Sequence, residues 1–433
     1  GLTGLPAMPM FFLGGCCLTL MWMASRTNQQ EDEDETETQP AEESAGESVA
    51  GEHSLEDALR VDPMELEVGV GLIRLADPAR GGDLLERIQL VRNSIAGELG
   101  FVLPKVRIRD NVRLDRRQYR IKIADEAVAQ GAVRPNRLLA IDWGGATGEI
   151  AGDPAVEPAF EMPAAWIESA DREQAERMGY AVADPVSVVT THLTEIIRRH
   201  AEELLTRDAV RELIDRLKQA SPSVVEETVP KRLSLGRVHR VLQRLLSEGV
   251  SIRNLAAILE SLGDRAAESE TAVSIDALAE AARRKLSRSI CRRHCDDQLR
   301  LHAVTLDPSW EERLAAGMER DEHGATAPWP VAQRERLLDA LGRGIDRLTA
   351  SGRPAAAVVD SRIRWAIRQA AAARAPRLAV LCYEEIAADV QVESAVMLTE
   401  EDHRLDASAD DPRENQLAAR GPSDDVGATG ISE

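Results

Sequence analysis

Apolar and polar positions change their period several times along the chain, and each change marks a new element. Glu65-Leu66-Glu67-Val68-Gly69-Val70-Gly71-Leu72-Ile73 alternates and then runs apolar, which predicts a strand. Asp77-Pro78-Ala79-Arg80-Gly81-Gly82-Asp83 reads as a turn. Leu84, Leu85, Ile88, Val91, Ile95 and Leu99 then recur at helical spacing, with Asp83 placed to cap the start and Gly100 to end it. Lys105–Asn111 predicts a strand and turn, Gln118–Ile123 a second alternating strand, and Leu138–Asp142 a third. This portion is mixed α/β.

From Asp184 the pattern becomes helical. Asp184-Pro185 supplies a cap followed by proline at the first helical position. Val186, Val189, Leu193, Ile196, Ile197 and Leu204 lie on one face. Further helices are expected at roughly 207–219, 234–248, 251–262 and 274–295, with Pro222, Pro230 and Gly249 in the gaps. Beyond about 300, Leu301–Leu306 reads as strand, Val331–Leu348 as helix, Ala355–Val359 as strand, Arg362–Arg374 as helix and Leu378–Cys382 as strand. The last three form a β-α-β unit in a small terminal α/β part. The fold class is therefore α/β plus α, in several parts.

The two ends differ from this body. Leu5–Met23 is apolar and uncharged, just long enough to span a bilayer. A signal peptide would need a basic start, and residues 1–10 hold no Lys or Arg. Residues 1–25 are thus expected to be a transmembrane helix, with Trp22 at the interface and Arg26 on the cytoplasmic side. Residues 27–52 contain ten Asp or Glu and no Lys or Arg, so 26–62 is expected to be a flexible acidic linker. Within it, Leu55 and Leu59 offer one face of a short helix. Residues 401–433 are expected to be a disordered acidic tail.

Charge and composition narrow the function. The formal net charge is −21, which argues against a nucleic-acid surface and for basic partners or basic cargo patches. Cys16, Cys17, Cys291, Cys295 and Cys382 show no disulfide framework, as suits a reducing cytoplasm. Aromatic residues are only 3%, so the cores must be built from Leu, Ile, Val and Ala. Catalytic chemistry is hard to find. Gly81-Gly82 is not followed by Lys-Ser or Lys-Thr, so it is a turn rather than a phosphate loop. Cys291 and Cys295 share a helix face, but no second ligand pair sits at a zinc spacing. His192 and Glu195 lie one turn apart without a second His, which makes His192 a packed or hydrogen-bonded group. No cofactor, metal or enzymatic activity is expected.

The order of segments resembles the cytoplasmic part of the FlhA/FHIPEP family of export gate proteins. The matching stretches are DPMELEVGVGLIRLAD, GGDLLERI, ELGFVLPKVRIRDN, YRIKI, VEPAF, WIES, ADPVSVVTTHLTEIIRRHAEELLTR, SVVEETVP and VLQRLLSEGVSIRNLAAILESL, with a looser match at TLDP and AVLCYEEIA. GLPAMPMFF is similar to the family's final membrane helix. GGDLL, VRIRDN and LLTRDAV favour the flagellar branch over the injectisome branch.

The resemblance implies a thioredoxin-like part (63–135 and 185–204), a ferredoxin-like insertion (136–184), a helical part (205–296) and a C-terminal α/β part (297–400). It implies a protein of the bacterial inner membrane whose cytoplasmic body forms a nine-subunit ring. Expected partners are export chaperones carrying filament and hook-junction cargo, the export ATPase complex stalk and other gate membrane subunits. It also places a chaperone-docking dimple on Glu157, Phe160 and Thr191, from the VEPAF and TTHL stretches. On that reading Phe160 gives an apolar face, Glu157 a charge to orient a basic partner residue, and Thr191 a hydroxyl beside a methyl. A simpler possibility is that Phe160 is core. Glu161-Met162 and Ala181-Val182-Ala183 depart from the family pattern and imply a shallower dimple floor. Two other readings compete with a flagellar gate: an injectisome gate, and a membrane-tethered α/β enzyme.

Overall fold

The alternation at Gln118–Ile123 becomes the pivot of the first sheet. In the computed structural model, which describes residues 61–268, 272–321, 324–349, 356–372, 375 and 378–399, Tyr119, Ile121 and Ile123 all point into the core. The expected membrane helix at 1–25 and tail at 401–433 lie outside the described residues, as does all of the expected linker except its last two positions. Among the described residues no helix is long and apolar enough to cross a membrane.

Strands β1 (Met64–Val68), β2 (Arg107–Asp110), β3 (Gln118–Ile123) and β4 (Glu126–Ala132) form a sheet in the order β2-β1-β3-β4. β2 runs parallel to β1; β3 and β4 are antiparallel to their neighbours. Met64, Leu66 and Val68 face inward, while Glu65 and Glu67 on the other face meet Arg109, Arg120 and Lys122 across the strands. Cross-strand opposite charges of this kind fix register more than they add stability.

The expected strand to Ile73 stops earlier, at Val68, and continues as a 3-10 turn over Val70–Leu72 and one helical turn over Ile73–Ala76. The cause is local. The backbone at Gly69 lies so close to the β2–β3 loop that a Cβ there would come 2.1 Å from the Asp115 carbonyl oxygen. Gly81 takes a left-handed conformation (φ 77°) at the end of a 3-10 turn, consistent with a turn at Gly81-Gly82.

Helix α1 (Leu84–Leu99) buries Leu84, Ile88, Ile95 and Leu99 and ends at Gly100 with φ 95°. Asp83 precedes it but makes no side-chain cap bond. Its carboxylate instead accepts from Arg87 Nε at 2.6 Å, so the expected cap is replaced by an ion pair one turn in.

A second antiparallel sheet, in the order β6-β7-β5-β8, is made of β5 (Leu138–Ile141), β6 (Asp153–Val156), β7 (Pro163–Ile167) and β8 (Ala181–Ala183), with helix α2 (Arg172–Arg177) beside it. β5 is buried on both faces. Leu138 and Ala140 join a small cluster with Ile167 and Ala175, while Leu139 and Ile141 enter the large core.

Helix α3 (Pro185–Arg199) begins as expected: the Asp184 carboxylate accepts from Val186 N and Ser187 N. Leu204 lies on a separate short helix, α4 (Ala201–Leu204). Helices α5 (Arg207–Ala220), α6 (Pro222–Thr228), α7 (Leu235–Ser247), α8 (Leu255–Ala267), α9 (Ile275–Lys285) and α10 (Ser287–Arg293) follow. Pro222 opens a helix rather than marking a gap. The helix expected at 251–262 starts at Leu255, because the Asn254 side chain caps Ala257 N. The helix expected at 274–295 breaks at Leu286 into α9 and α10.

The last sheet is parallel throughout, in the order β13-β12-β9-β14, with β9 (Arg300–Leu306), β12 (Ala356–Val359), β13 (Ala379–Cys382) and β14 (Gln391–Leu398). Helices α11 (Pro308–Ala316), α12 (Val331–Thr349) and α13 (Ser361–Ala371) pack on it, and β10 (Glu319–Asp321) and β11 (Gly324–Thr326) form a hairpin. The β12-α13-β13 unit is the β-α-β arrangement expected from the sequence.

A buried ion network joins α7, α9 and α13 to the segment after β13. Arg364 and Arg283 both bind Glu248 Oε2 at 2.6 Å. Arg364 also pairs with Glu280, and Arg283 with Glu385. Arg364, Arg283, Glu248 and Glu385 are each at most 2% exposed. Such a network contributes little net stability when whole but is costly to break.

Candidate docking cleft

The loop between β6 and β7 is folded by Glu157. One carboxylate oxygen accepts from Ala159 N at 3.1 Å, and the other from Phe160 N at 2.7 Å. The main chain closes the same loop through Glu157 N to Met162 O and Glu161 N to Glu157 O, both at 2.9 Å. Glu161 carries the left-handed conformation that this closure needs, with φ 58°. Glu157 is 2% exposed. Its charge is spent on the loop's own N–H groups, so the expectation that it meets a basic partner residue is corrected: it positions Phe160 and does not reach solvent.

Phe160 is half-buried rather than core. Its ring meets Trp143 edge to face, with centroids 5.2 Å apart at 69°. Trp143 is 52% exposed. It sits on a turn fixed by the Asp142 carboxylate, which accepts from Gly144 N at 2.8 Å and Ala146 N at 3.2 Å. Gly144 adopts φ 87°, which a residue with a Cβ resists. An exposed aromatic pair on two rigid turns is a recurrent form of binding anchor.

Behind this wall lies a buried polar couple. Tyr119 is fully buried, and its hydroxyl is 2.8 Å from His192 Nδ1. Burial, reinforced by the nearby Glu157 carboxylate, pushes the phenol far above its ordinary value, so the hydroxyl keeps its proton and donates. Burial, with Arg199 adding repulsion and Glu195 opposing, lowers His192 to about 4. The imidazole is therefore neutral at pH 7, accepting at Nδ1 and carrying its proton on Nε2. His192 is a hydrogen-bonded core group, as its lone position in the sequence suggests. Thr191, the residue before it, is exposed on α3. Of the three expected site residues, Glu157 lies near Tyr119, Phe160 lines the cleft, and Thr191 is exposed on α3 outside the cleft lining.

Phe160 forms part of the lining of a broad cleft of about 870 Å³, with the C-terminal turn of α3, α7 and α13. Its cations are Arg198, Arg199, Arg240, Arg244, Arg293 and Arg368, against Glu195, Glu202 and Glu248. Arg244 stacks on the Trp365 ring, and burial lowers it to about 10. Sequence reasoning missed Trp143 and the arginine wall. For Trp143 a signal existed, since a tryptophan between Asp142 and Gly144-Gly145 stands on a turn and has no periodic partner. Nothing in the sequence brings Arg199 and Arg240 together.

The possible metal ligands among the described residues are otherwise engaged. Oxygen and sulfur atoms of Glu280, Cys382 and Glu385 come within 4.8 Å of one another. Arg364 and Arg283 already hold those carboxylates, and a guanidinium pair at that position opposes a second cation. Cys295, two residues past the end of α10, donates from Sγ to the Cys291 carbonyl at 3.2 Å.

Three four-stranded sheets, with a run of helices between the second and third, make a fold similar to that of solved type III secretion cytosolic domains. The structure of the Chlamydia pneumoniae CdsV protein superposes with a TM-score of 0.68 at 20% identity, over 77% of this chain and 97% of that one. The CdsV and CdsO protein complex gives 0.67 at 21%, over 78% and 97%. Nonameric EPEC SctV-C gives 0.64 at 17%, over 78% and 98%. The chain belongs to the FHIPEP family, which matches residues 1–391. Flagellar biosynthesis protein FlhA of Bacillus subtilis is 38% identical over 353 residues, 82% of this chain and 52% of that protein. That of Treponema pallidum is 34% identical over 409 residues, 94% and 57%. The chain spans about half the length of the curated relatives it matches.

Proposed function

We propose that the chain is the body and last membrane segment of a flagellar type III export gate, and that it works as a docking platform for export chaperones carrying cargo. The observation that carries this reading is Phe160 on the wall of a large cleft, its ring packed against the exposed Trp143, in a member of the FHIPEP family. A groove of that kind suits a partner helix laying apolar anchors against aromatic rings. Glu157 acts by holding Phe160, and Thr191 extends the surface along α3. The body binds and positions; it is not read as an enzyme.

The flagellar branch is preferred to the injectisome branch because the curated relatives at 32–38% identity are flagellar. Assembly as a nine-subunit ring, contact with an ATPase stalk and with other gate membrane subunits, an inner-membrane location through residues 1–25, and a linker at 26–62 belong to the same proposal. So do the thioredoxin-like and ferredoxin-like assignments of the first two sheets. Solved structures of this fold include a nonamer and a complex with CdsO.

The test is calorimetric titration of the chain with cargo-loaded chaperone from the same flagellar locus, beside Phe160→Ala. The expected outcome is a loss of about tenfold or more in affinity, as for a central aromatic anchor. Equal affinity for the two proteins removes Phe160 from the docking site.

A further inference from the structure

The cleft that Phe160 overlooks has a sign opposite to that of the whole chain. The net charge is −21, yet arginines outnumber carboxylates along the lining. The acids there are largely occupied. Glu248 is held by Arg283 and Arg364, and Glu195 pairs with Arg198. Several cations are also occupied, since Arg198 and Arg293 both bind Glu98. Arg199 and Arg240 are different. Both are exposed, and neither makes a hydrogen bond or ion pair among the described residues. They line the same cleft as Phe160, whose ring meets the exposed Trp143 edge to face.

We infer that the cleft receives an amphipathic partner helix whose apolar stripe packs on Phe160 and Trp143 and whose acidic stripe meets Arg199 and Arg240. The inference rests on the docking reading above and adds to it the chemistry of the partner. Charge complementarity sets the sign: among the described residues, six arginines against three glutamates line the cleft, and Arg199 and Arg240 are exposed there, which favours an acidic helix over a basic one. The aromatic pair sets the second requirement. The chain's own acidic stretch, 27–52, satisfies only the first, because Val49 is its one large apolar residue. Leu55 and Leu59 beside Glu56 and Asp57 combine both characters, but over little more than one turn, well short of the length of a stable isolated helix; the occupant inferred is a longer helix with both stripes, from another protein.

The test uses the full chain and two synthetic helical peptides of about 18 residues. They share a leucine stripe and differ only in carrying Glu or Lys beside it. Fluorescence anisotropy is expected to show the Glu-faced peptide binding about tenfold more tightly than the Lys-faced one. Arg199→Glu with Arg240→Glu is expected to invert that order, and Trp143→Ala to weaken both peptides alike. Equal binding of the two peptides, or indifference to both sets of substitutions, overturns the inference. A peptide of residues 27–60 that displaces the Glu-faced probe and binds more tightly assigns the cleft to the chain's own stretch, and also overturns it. Cargo-loaded chaperone separates the two levels. If it binds, and loses affinity on Phe160→Ala but not on the double arginine reversal, docking stands and the acidic-helix inference falls. If it does not bind while the Glu-faced peptide does, the chemistry of the cleft stands and the chaperone reading falls.

Discussion

Replacing His192 by Gln tests the polar couple behind the cleft. In the folded chain His192 is 5% exposed and lowered to about 4 from an ordinary 6.5. The unfolded chain therefore binds the proton more readily. Stability from this group is complete above about pH 6.5 and is lost as pH falls toward 4. The full gap corresponds to about 3 kcal/mol, and roughly 2.5 kcal/mol of it is lost by pH 4.5. A Gln amide oxygen can accept the Tyr119 hydroxyl in place of Nδ1 without titrating. Urea unfolding followed by circular dichroism, at intervals from pH 7.5 to 4.5, should give His192→Gln a shallower decline than the parent, the two converging by about that amount. His294, also lowered to about 4 by burial and by Arg293 and Arg283, titrates equally in both proteins and cancels in the difference. Parallel stability curves for parent and variant would refute a buried neutral His192.

Three further outcomes are expected. Arg364→Met leaves Glu248 and Glu280 without a cation that is itself 1% exposed, and should destabilise the chain by about 3–5 kcal/mol in denaturant unfolding. Asp184→Ala removes the cap on Val186 N and Ser187 N and should cost about 1–2 kcal/mol at pH 7. Because the Asp184 carboxylate is held below its ordinary value against burial, by its bonds to Ser187 and the Arg87 charge, this deficit should shrink as pH falls below about 4. Gly131→Ala places a methyl 2.5 Å from the Tyr119 hydroxyl. It should cost about 1–3 kcal/mol and disturb the bond to His192, read as a shift of the imidazole resonances in an NMR titration.

Much of the fold was legible where side-chain pattern alone determines structure. Gln118–Ile123 alternates because one face is core, Asp184-Pro185 starts a helix by local hydrogen bonding, and Gly100 ends one by its conformation. The strands that escaped notice lack such signals. β4 reads EAVAQGA and β6 reads DPAV, with few large apolar residues. They are strands because a neighbour's edge offers them hydrogen bonds, which is information held elsewhere in the chain. Gly69 shows the opposite case, an apparent strand cut short by a loop that arrives from residue 115.

The site was legible in part. VEPAF and TTHL pointed to Glu157, Phe160 and Thr191; the fold puts Phe160 on the cleft wall and Glu157 beneath it, near Tyr119. A glutamate in a sequence reads as a surface charge, however, and only the closed loop reveals that Glu157 is consumed by the backbone of Ala159 and Phe160. The arginine wall needed the fold entirely, since its members come from α3, α7, α10 and α13.

The most direct test of the docking platform is a photocrosslink. Benzoylphenylalanine at position 160 of the full chain is irradiated in the presence of cargo-loaded chaperone, with the same group at position 112 as a control. Val112 is 79% exposed on the β2–β3 loop, outside the cleft lining. A chaperone adduct is expected from position 160 and none from 112. A chaperone that co-elutes with the chain yet crosslinks from 112 and not from 160 would contradict docking at Phe160.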